Sequence, residues 1–226
     1  MICIPIMAGT EKEALALMEK CSRIADILEL RWDQIENADL KNLMKARKCR
    51  VIVTHRKREE GGSFPGSEKE RVDILKEAVA LGADLVDIEL STAEPLIAEL
   101  RDKIRAAGGR TQLIVSYHNF RETPSEADLR AKADACIRAG ADIIKIAVRA
   151  VRPQDNLRVL GLIPYGLARK RGVIAFCMGE MGRISRIAAP LFGSFLSYAS
   201  MQKGAESAPG QLTAEEMRRV LRILQR

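Results

Sequence analysis

The chain has 226 residues, 47% of them hydrophobic and 30% charged, which is enough to bury one sizeable core and lies in the range of a single α/β domain. Five cysteines without a C-x-x-C pair, and only two histidines, exclude a metal-ligand cluster set by spacing; no run approaches ~18 apolar residues, which excludes a membrane-spanning helix. The net charge of +7 is spread along helical stretches and aromatics are only 4%, which argues against nucleic-acid binding; the surplus reads as a solvated surface, with attraction of an anionic metabolite as the functional alternative.

In chain order, β-branched runs alternate with amphipathic stretches. ICIPIM (2–7) has neither the basic nor the long apolar region of a secretory leader, so an unprocessed chain in a reduced, cytoplasmic setting is expected. EKEALALMEKCSRI follows at helical spacing, then the runs DILELR (26–31) and RVIVTHR (50–56). SEKERVDILKEAVALG precedes DLVDIEL (84–90), AEPLIAELRDKIRAAGG precedes TQLIVSYH (111–118), and SEADLRAKADACIRAG precedes DIIKIAV (142–148). QDNLRVLGLIPYGLARKRG leads into VIAFCM (173–178), and SFLSYA (194–199) is the best eighth strand before a Gly/Ser/Pro loop and the helix TAEEMRRVLRIL (213–224). Eight units in 226 residues is about 28 residues each, the spacing of one (β/α)8 barrel over residues 1–226. A doubly wound sheet is the alternative.

In such a barrel, chemistry sits where strands end, so polar residues there carry the functional signal. Glu29 and Arg31 are two apart on one face, where they either pair with each other or hold a ligand. Lys145 stands mid-strand among Ile143, Ile144 and Ile146. Apolar burial there would favour a neutral, nucleophilic amine, and the other reading is an ion pair with a carboxylate such as Glu89. His118 ends the strand before Lys145 and is the candidate base; His55 alternates away from the face of Arg56. In the tail, Arg183 and Arg186 could fork onto a carboxylate or cap a helix, with Ser207 and Gln211 following in SAPGQ.

ELRWD, EGG after THRKRE, VSYHNFRETPS, KIAV, MGEMGRISR, LFGS and SAPGQ, in that order, resemble the motifs of type I 3-dehydroquinate dehydratases over nearly the whole chain. The resemblance implies that Lys145 forms a Schiff base with the C3 ketone, that His118 takes the C2 proton and assists loss of the C1 hydroxyl, and that Glu60 supports His118. It also implies that Glu29, Arg31 and Arg56 bind substrate, that Arg186 grips its carboxylate, and that Ser207 and Gln211 sit on a closing loop. No metal or cofactor is implied; the partner is the small molecule 3-dehydroquinate, with neither nucleic acid nor membrane, and the assembly is compatible with a homodimer.

The chain departs from the family pattern at His55, often Phe, at Pro5, often Ser, and by two residues inserted in QKGAE before SAPGQ. No G-x-G-x-x-G unit follows, so a fused shikimate dehydrogenase half is not expected. Two rival readings are a class I aldolase, which shares the strand lysine but calls for a Gly-rich phosphate loop, and a basic RNA-binding barrel, which calls for stacking aromatics.

Overall fold

The computed structural model describes residues 1–224 and forms eight parallel strands in one sheet. They are β1 (Ile2–Ile6), β2 (Ile27–Arg31), β3 (Arg50–Thr54), β4 (Leu85–Glu89), β5 (Gln112–Asn119), β6 (Ile143–Arg149), β7 (Gly172–Met178) and β8 (Ser197–Tyr198). Each strand pairs with its chain neighbour, and β1 pairs in turn with β8. The remaining seam is bridged where the Phe195 N–H donates to the Val173 carbonyl at 2.7 Å, so the sheet is a nearly closed barrel and the doubly wound alternative is excluded. The eighth strand is shorter than the run 194–199, because Ser194 and Phe195 spend their polar groups on that seam.

The helices are α1 (Glu11–Cys21), α2 (Leu40–Ala46), α3 (Glu68–Ala80), α4 (Glu94–Ala106), α5 (Glu126–Arg138), α6 (Asp155–Leu160), α7 (Leu162–Leu167), α8 (Arg183–Ala188) and α9 (Ala214–Leu224). Their starts are written locally. Thr10, Asp39 and Ser125 accept from first-turn N–H groups, Ser67 and Glu70 form a full capping box, and Pro95 occupies the first turn of α4. The stretch 154–172 breaks at Gly161 into α6 and α7, both of which pack against β7. Short α2 and α8 were not evident from periodicity, since each spans barely two turns.

Two apolar layers hold the molecule. The larger lies between strands and helices and includes Leu28, Val53, Val86, Val115 and Ile144 with Leu43, Leu75 and Leu100. The smaller plugs the barrel itself and is built on Ile27, Ile52, Leu85, Ile114, Ile143 and Ile174, one from each of six successive strands. Packing alternate residues of every strand into these two layers leaves one end of the barrel interior for polar groups. Among the described residues, no helix is long and apolar enough to cross a membrane.

Candidate active site

Counting two residues on from each plug residue gives Glu29, Thr54, Asp87, Ser116, Lys145 and Phe176; four on gives Arg31, Arg56, Glu89, His118, Ala147 and Met178. The two-residue period turns all of them inward, above the aliphatic plug and at the C-terminal ends of the strands. One cavity there is lined by Lys145, His118, Glu60, Glu29, Arg31, Arg56, Arg186, Ser207 and Gln211, with Tyr198, Phe176, Met178 and Phe120 among the other walls.

Lys145 is the floor. Its side chain is buried, and Nζ donates to Asp87 Oδ2 at 2.8 Å and to the Tyr198 hydroxyl at 3.0 Å, with Glu29 Oε1 at 3.6 Å. Glu29 Oε1 also accepts from Thr54 Oγ1 at 2.8 Å and from the Tyr198 hydroxyl at 3.3 Å. The amine is therefore not in a purely apolar slot as its isoleucine neighbours suggest, because Ile144 and Ile146 face the outer layer. Two carboxylates offset the several kcal/mol that an isolated buried charge would cost there. The partner is Asp87 and not Glu89: Glu89 takes Arg56 Nη1 at 2.8 Å, the Lys57 N–H at 3.0 Å and Arg71 Nη1 at 2.5 Å.

Arg56 is the hinge of this ionic wall. It contacts Asp87 Oδ2 and Glu89 Oε1, each at 2.8 Å, and donates to Ser116 Oγ at 2.7 Å. Burial alone would lower its pKa, but Asp87 and Glu89 raise it well above the ordinary arginine value. Burial would likewise raise Asp87, yet Arg56 and then Lys145 hold it well below the usual carboxylate range. Arg31 does not pair with Glu29; its Nε and Nη2 form a fork on Asp33 at 2.9 and 2.8 Å, and Nη2 also reaches the Gly61 carbonyl at 3.1 Å.

His118 and Glu60 form a separate couple. Nδ1 of His118 lies 2.9 Å from Glu60 Oε2, and Glu60 Oε1 accepts from Ser91 Oγ at 2.7 Å. A carboxylate facing Nδ1 assigns the neutral ring's proton to that nitrogen and leaves Nε2 as the free base. Burial, then the positive charges of Arg56 and Lys145, push the imidazole down to about 4 against the pull of Glu60. Burial would raise Glu60, but its bonds from His118 and Ser91 hold it below the usual range. The EGG motif serves this placement. Gly61 turns at φ +86°, and a Cβ on Gly62 would lie 1.9 Å from the Arg56 carbonyl oxygen.

Arg186, on α8, contrasts with the other cations. It is fully buried while Arg183 is exposed, which separates the two tail arginines. Its guanidinium lies 4.3 Å over the Phe176 ring and, among the described residues, reaches only the Pro209 carbonyl, at 3.4 Å, which leaves Nε and Nη1 without a hydrogen-bond partner there. Burial without a carboxylate lowers its pKa to about 10. Pro209 belongs to the loop holding Ser207 and Gln211, which bond each other: Ser207 N–H to Gln211 Oε1 at 3.0 Å, and Gln211 Nε2 to Ser207 Oγ at 2.9 Å. Gly210, at φ +84°, lets this loop press on the β7 turn, since a Cβ there would lie 2.3 Å from the Gly179 carbonyl oxygen. The inserted residues upstream leave both side chains lining the cavity.

His55 lies outside the cavity. It is buried against Phe64 with ring centroids 4.3 Å apart, and Nδ1 is 3.4 Å from the Arg71 carbonyl oxygen. Asp87, Ser116 and Tyr198 are the site residues that a reading of strand ends passes over. Asp87 shares its inward face with Glu89 two residues on, and that alternation is the signal that finds it.

A type I 3-dehydroquinase family model matches residues 2–226. The chain belongs to the type I 3-dehydroquinase family. It is 40% identical over 228 residues to the 3-dehydroquinate dehydratase of Methanothermobacter thermautotrophicus, covering 97% of this chain and 95% of that one. To the 3-dehydroquinate dehydratase of Methanocaldococcus jannaschii it is 35% identical over 225 residues, 99% of each. Among solved structures, the type I 3-dehydroquinate dehydratase of Clostridium difficile with covalently modified comenic acid superposes with a TM-score of 0.90 at 28% identity, covering 99% of this chain and 91% of that one.

Proposed function

We propose that this type I 3-dehydroquinase converts 3-dehydroquinate to 3-dehydroshikimate by syn elimination of water through a Schiff base on Lys145. The observation that carries the reading is one cavity holding a buried amine, a neutral imidazole and a buried guanidinium that lacks a carboxylate. Residues 1–226 act as one catalytic domain. The class I aldolase alternative is not favoured, because the family match spans the chain and the cavity offers a fork for a carboxylate.

Lys145 Nζ attacks the C3 ketone, whose oxygen leaves as water, and a protonated imine remains. His118 Nε2 takes a C2 proton while the C–H electron pair moves into the imine, giving an enamine. The enamine electrons then expel the C1 hydroxyl, which leaves as water with the proton returned by His118. Hydrolysis of the imine frees 3-dehydroshikimate and the amine. Glu60 keeps the ring oriented, and Arg186 meets the substrate carboxylate with Ser207 and Gln211 closing over it. Glu29, Arg31 and Arg56 face the remaining polar groups of the ring. The imine is the electron sink, so the scheme uses no metal and no organic cofactor.

Borohydride with 3-dehydroquinate should add the reduced adduct's mass to the protein and not to Lys145→Ala, while ultraviolet absorption follows the conjugated enone. A protein that yields no enone sinks the reading. The five free cysteines, four of them buried, support a reducing cytoplasmic setting. A homodimer is supported by the exposed apolar side chains Met181, Ile184, Leu191 and Phe192, which a second copy would cover; a one-chain mass by light scattering would remove it.

A further inference from the structure

Tyr198 is the residue through which the shortest strand reaches the site. β8 is two residues long, yet its register on β1 turns the Tyr198 ring inward, where it packs edge-on to Phe176 with centroids 5.8 Å apart. The hydroxyl is buried between two charged groups: Lys145 Nζ donates to it at 3.0 Å, and it donates to Glu29 Oε1 at 3.3 Å. The result is a directed chain, ammonium to phenol to carboxylate.

The amine must lose a proton before its lone pair can attack a carbonyl. Asp87 is the nearer carboxylate, at 2.8 Å, but Arg56 holds it well below the usual carboxylate range, so it is a poor acceptor. Among the described residues, Glu29 makes one ion pair, with Lys145 itself at 3.6 Å, and otherwise takes only hydroxyl hydrogen bonds. The direct path to Glu29 is thus longer than a hydrogen bond, and the phenol fills the gap.

We propose that Tyr198 is a further catalytic residue, which relays a proton from Lys145 to Glu29 as the Schiff base of the reading above forms. The phenol accepts the Nζ proton as it gives its own to Glu29 Oε1, so it never ionises. Burial, then the charge of Glu29, keeps its proton bound well above the ordinary tyrosine range. The amine then forms the C–N bond. A second N–H proton passes to the former ketone oxygen, and the proton stored on Glu29 follows, so that the C–O bond breaks and water leaves. One N–H remains on the protonated imine, and Glu29 is again a carboxylate.

The groups facing this pair are Cys3 of β1, Glu29 of β2, Arg56 beyond β3, Asp87 of β4, His118 of β5 and Arg186 of α8. Burial raises Cys3 well above its ordinary value, His118 titrates at about 4 and Arg186 at about 10. A window from about pH 6.5 to about 9 lies above the imidazole value and below the guanidinium value, so neither of these two groups changes charge across it.

The test is the rate of borohydride labelling at saturating 3-dehydroquinate, followed by intact-protein mass across that window. Tyr198→Phe keeps the ring and should label ~10-fold more slowly at the acid end, as expected when one proton-transfer route is lost and a weaker one survives. The deficit should shrink as pH rises and solvent takes the amine proton. Added to Glu29→Gln, which removes the acceptor, Tyr198→Phe should cost no further labelling rate. Labelling of Tyr198→Phe at the parental rate at every pH, or losses that multiply in the double variant, would overturn the relay alone. A parental protein that is not labelled at all overturns the Schiff-base reading and the relay together.

Discussion

The two walls of the cavity handle charge in opposite ways. On the β2 to β6 side every cation has a carboxylate: Arg31 has Asp33, Arg56 has Asp87 and Glu89, Arg71 has Glu89, and Lys145 has Asp87 and Glu29. On the β7 and α8 side Arg186 is equally buried, but it meets an aromatic ring and one backbone carbonyl. A buried ion costs several kcal/mol unless it is paired. The first wall is therefore complete as folded, whereas the second leaves a buried cation open to an anion from outside. On the proposed function, that difference assigns the substrate carboxylate to Arg186 more directly than net charge does.

The largest effect expected is on turnover. His118 stands between the walls, and His118→Ala should lose ~10²- to 10⁴-fold in kcat while borohydride still traps the imine on Lys145. Near-parental turnover in this variant would remove the imidazole from the chemistry. The walls are then contrasted directly. Arg56→Met takes one cation from two buried carboxylates, leaving Asp87 to Lys145 and Glu89 to Arg71, and should lower folding stability by up to about 3 to 5 kcal/mol, read from urea denaturation. Arg186→Met removes a charge with no partner, so stability of the unliganded protein should hold or rise, while KM worsens by the equivalent of about 2 to 5 kcal/mol. Equal destabilisation by both substitutions would erase the contrast.

A further effect lies on the acid side of stability. His55 and His118 are each pushed by burial from 6.5 to about 4. Unfolded chains take up these protons through pH 6.5 and the folded protein not until about 4. Stability is thus full above pH 6.5 and lost as pH falls towards 4, by roughly 3 kcal/mol per histidine at most. His55→Phe should flatten about half of that slope in urea midpoints taken at neutral pH and at about pH 4.5. An unchanged slope would mean that His55 takes up protons alike in both states.

Much of the site was legible from chain order, because barrel strands end where chemistry begins. Lys145, His118, Glu29, Arg31 and Arg56 were found by reading strand ends, and they line one cavity. The partners were less legible. Asp87 was hidden behind Glu89, the more terminal acid of the same face, and Tyr198 lay in the weakest strand signal of the chain. Arg31 pairs two residues downstream with Asp33, on a short turn that the two-residue strand period does not extend to.

By itself the sequence determined the alternation of strands and helices, the caps, and in β2 to β5 an aliphatic residue followed at spacings of two and four by inward polar ones. Those are local properties, written in hydrogen bonds and periods that span a few residues. Only the tertiary structure decided which charges meet. Lys145 finds Asp87 across 58 residues of chain and Tyr198 across 53, and both contacts depend on closing the sheet into a barrel. Coulombic pairing depends on distance in space and on exclusion of water, neither of which is encoded in spacing along the chain. For the same reason, that Arg56 is paired and Arg186 is not could be read only once the barrel had closed.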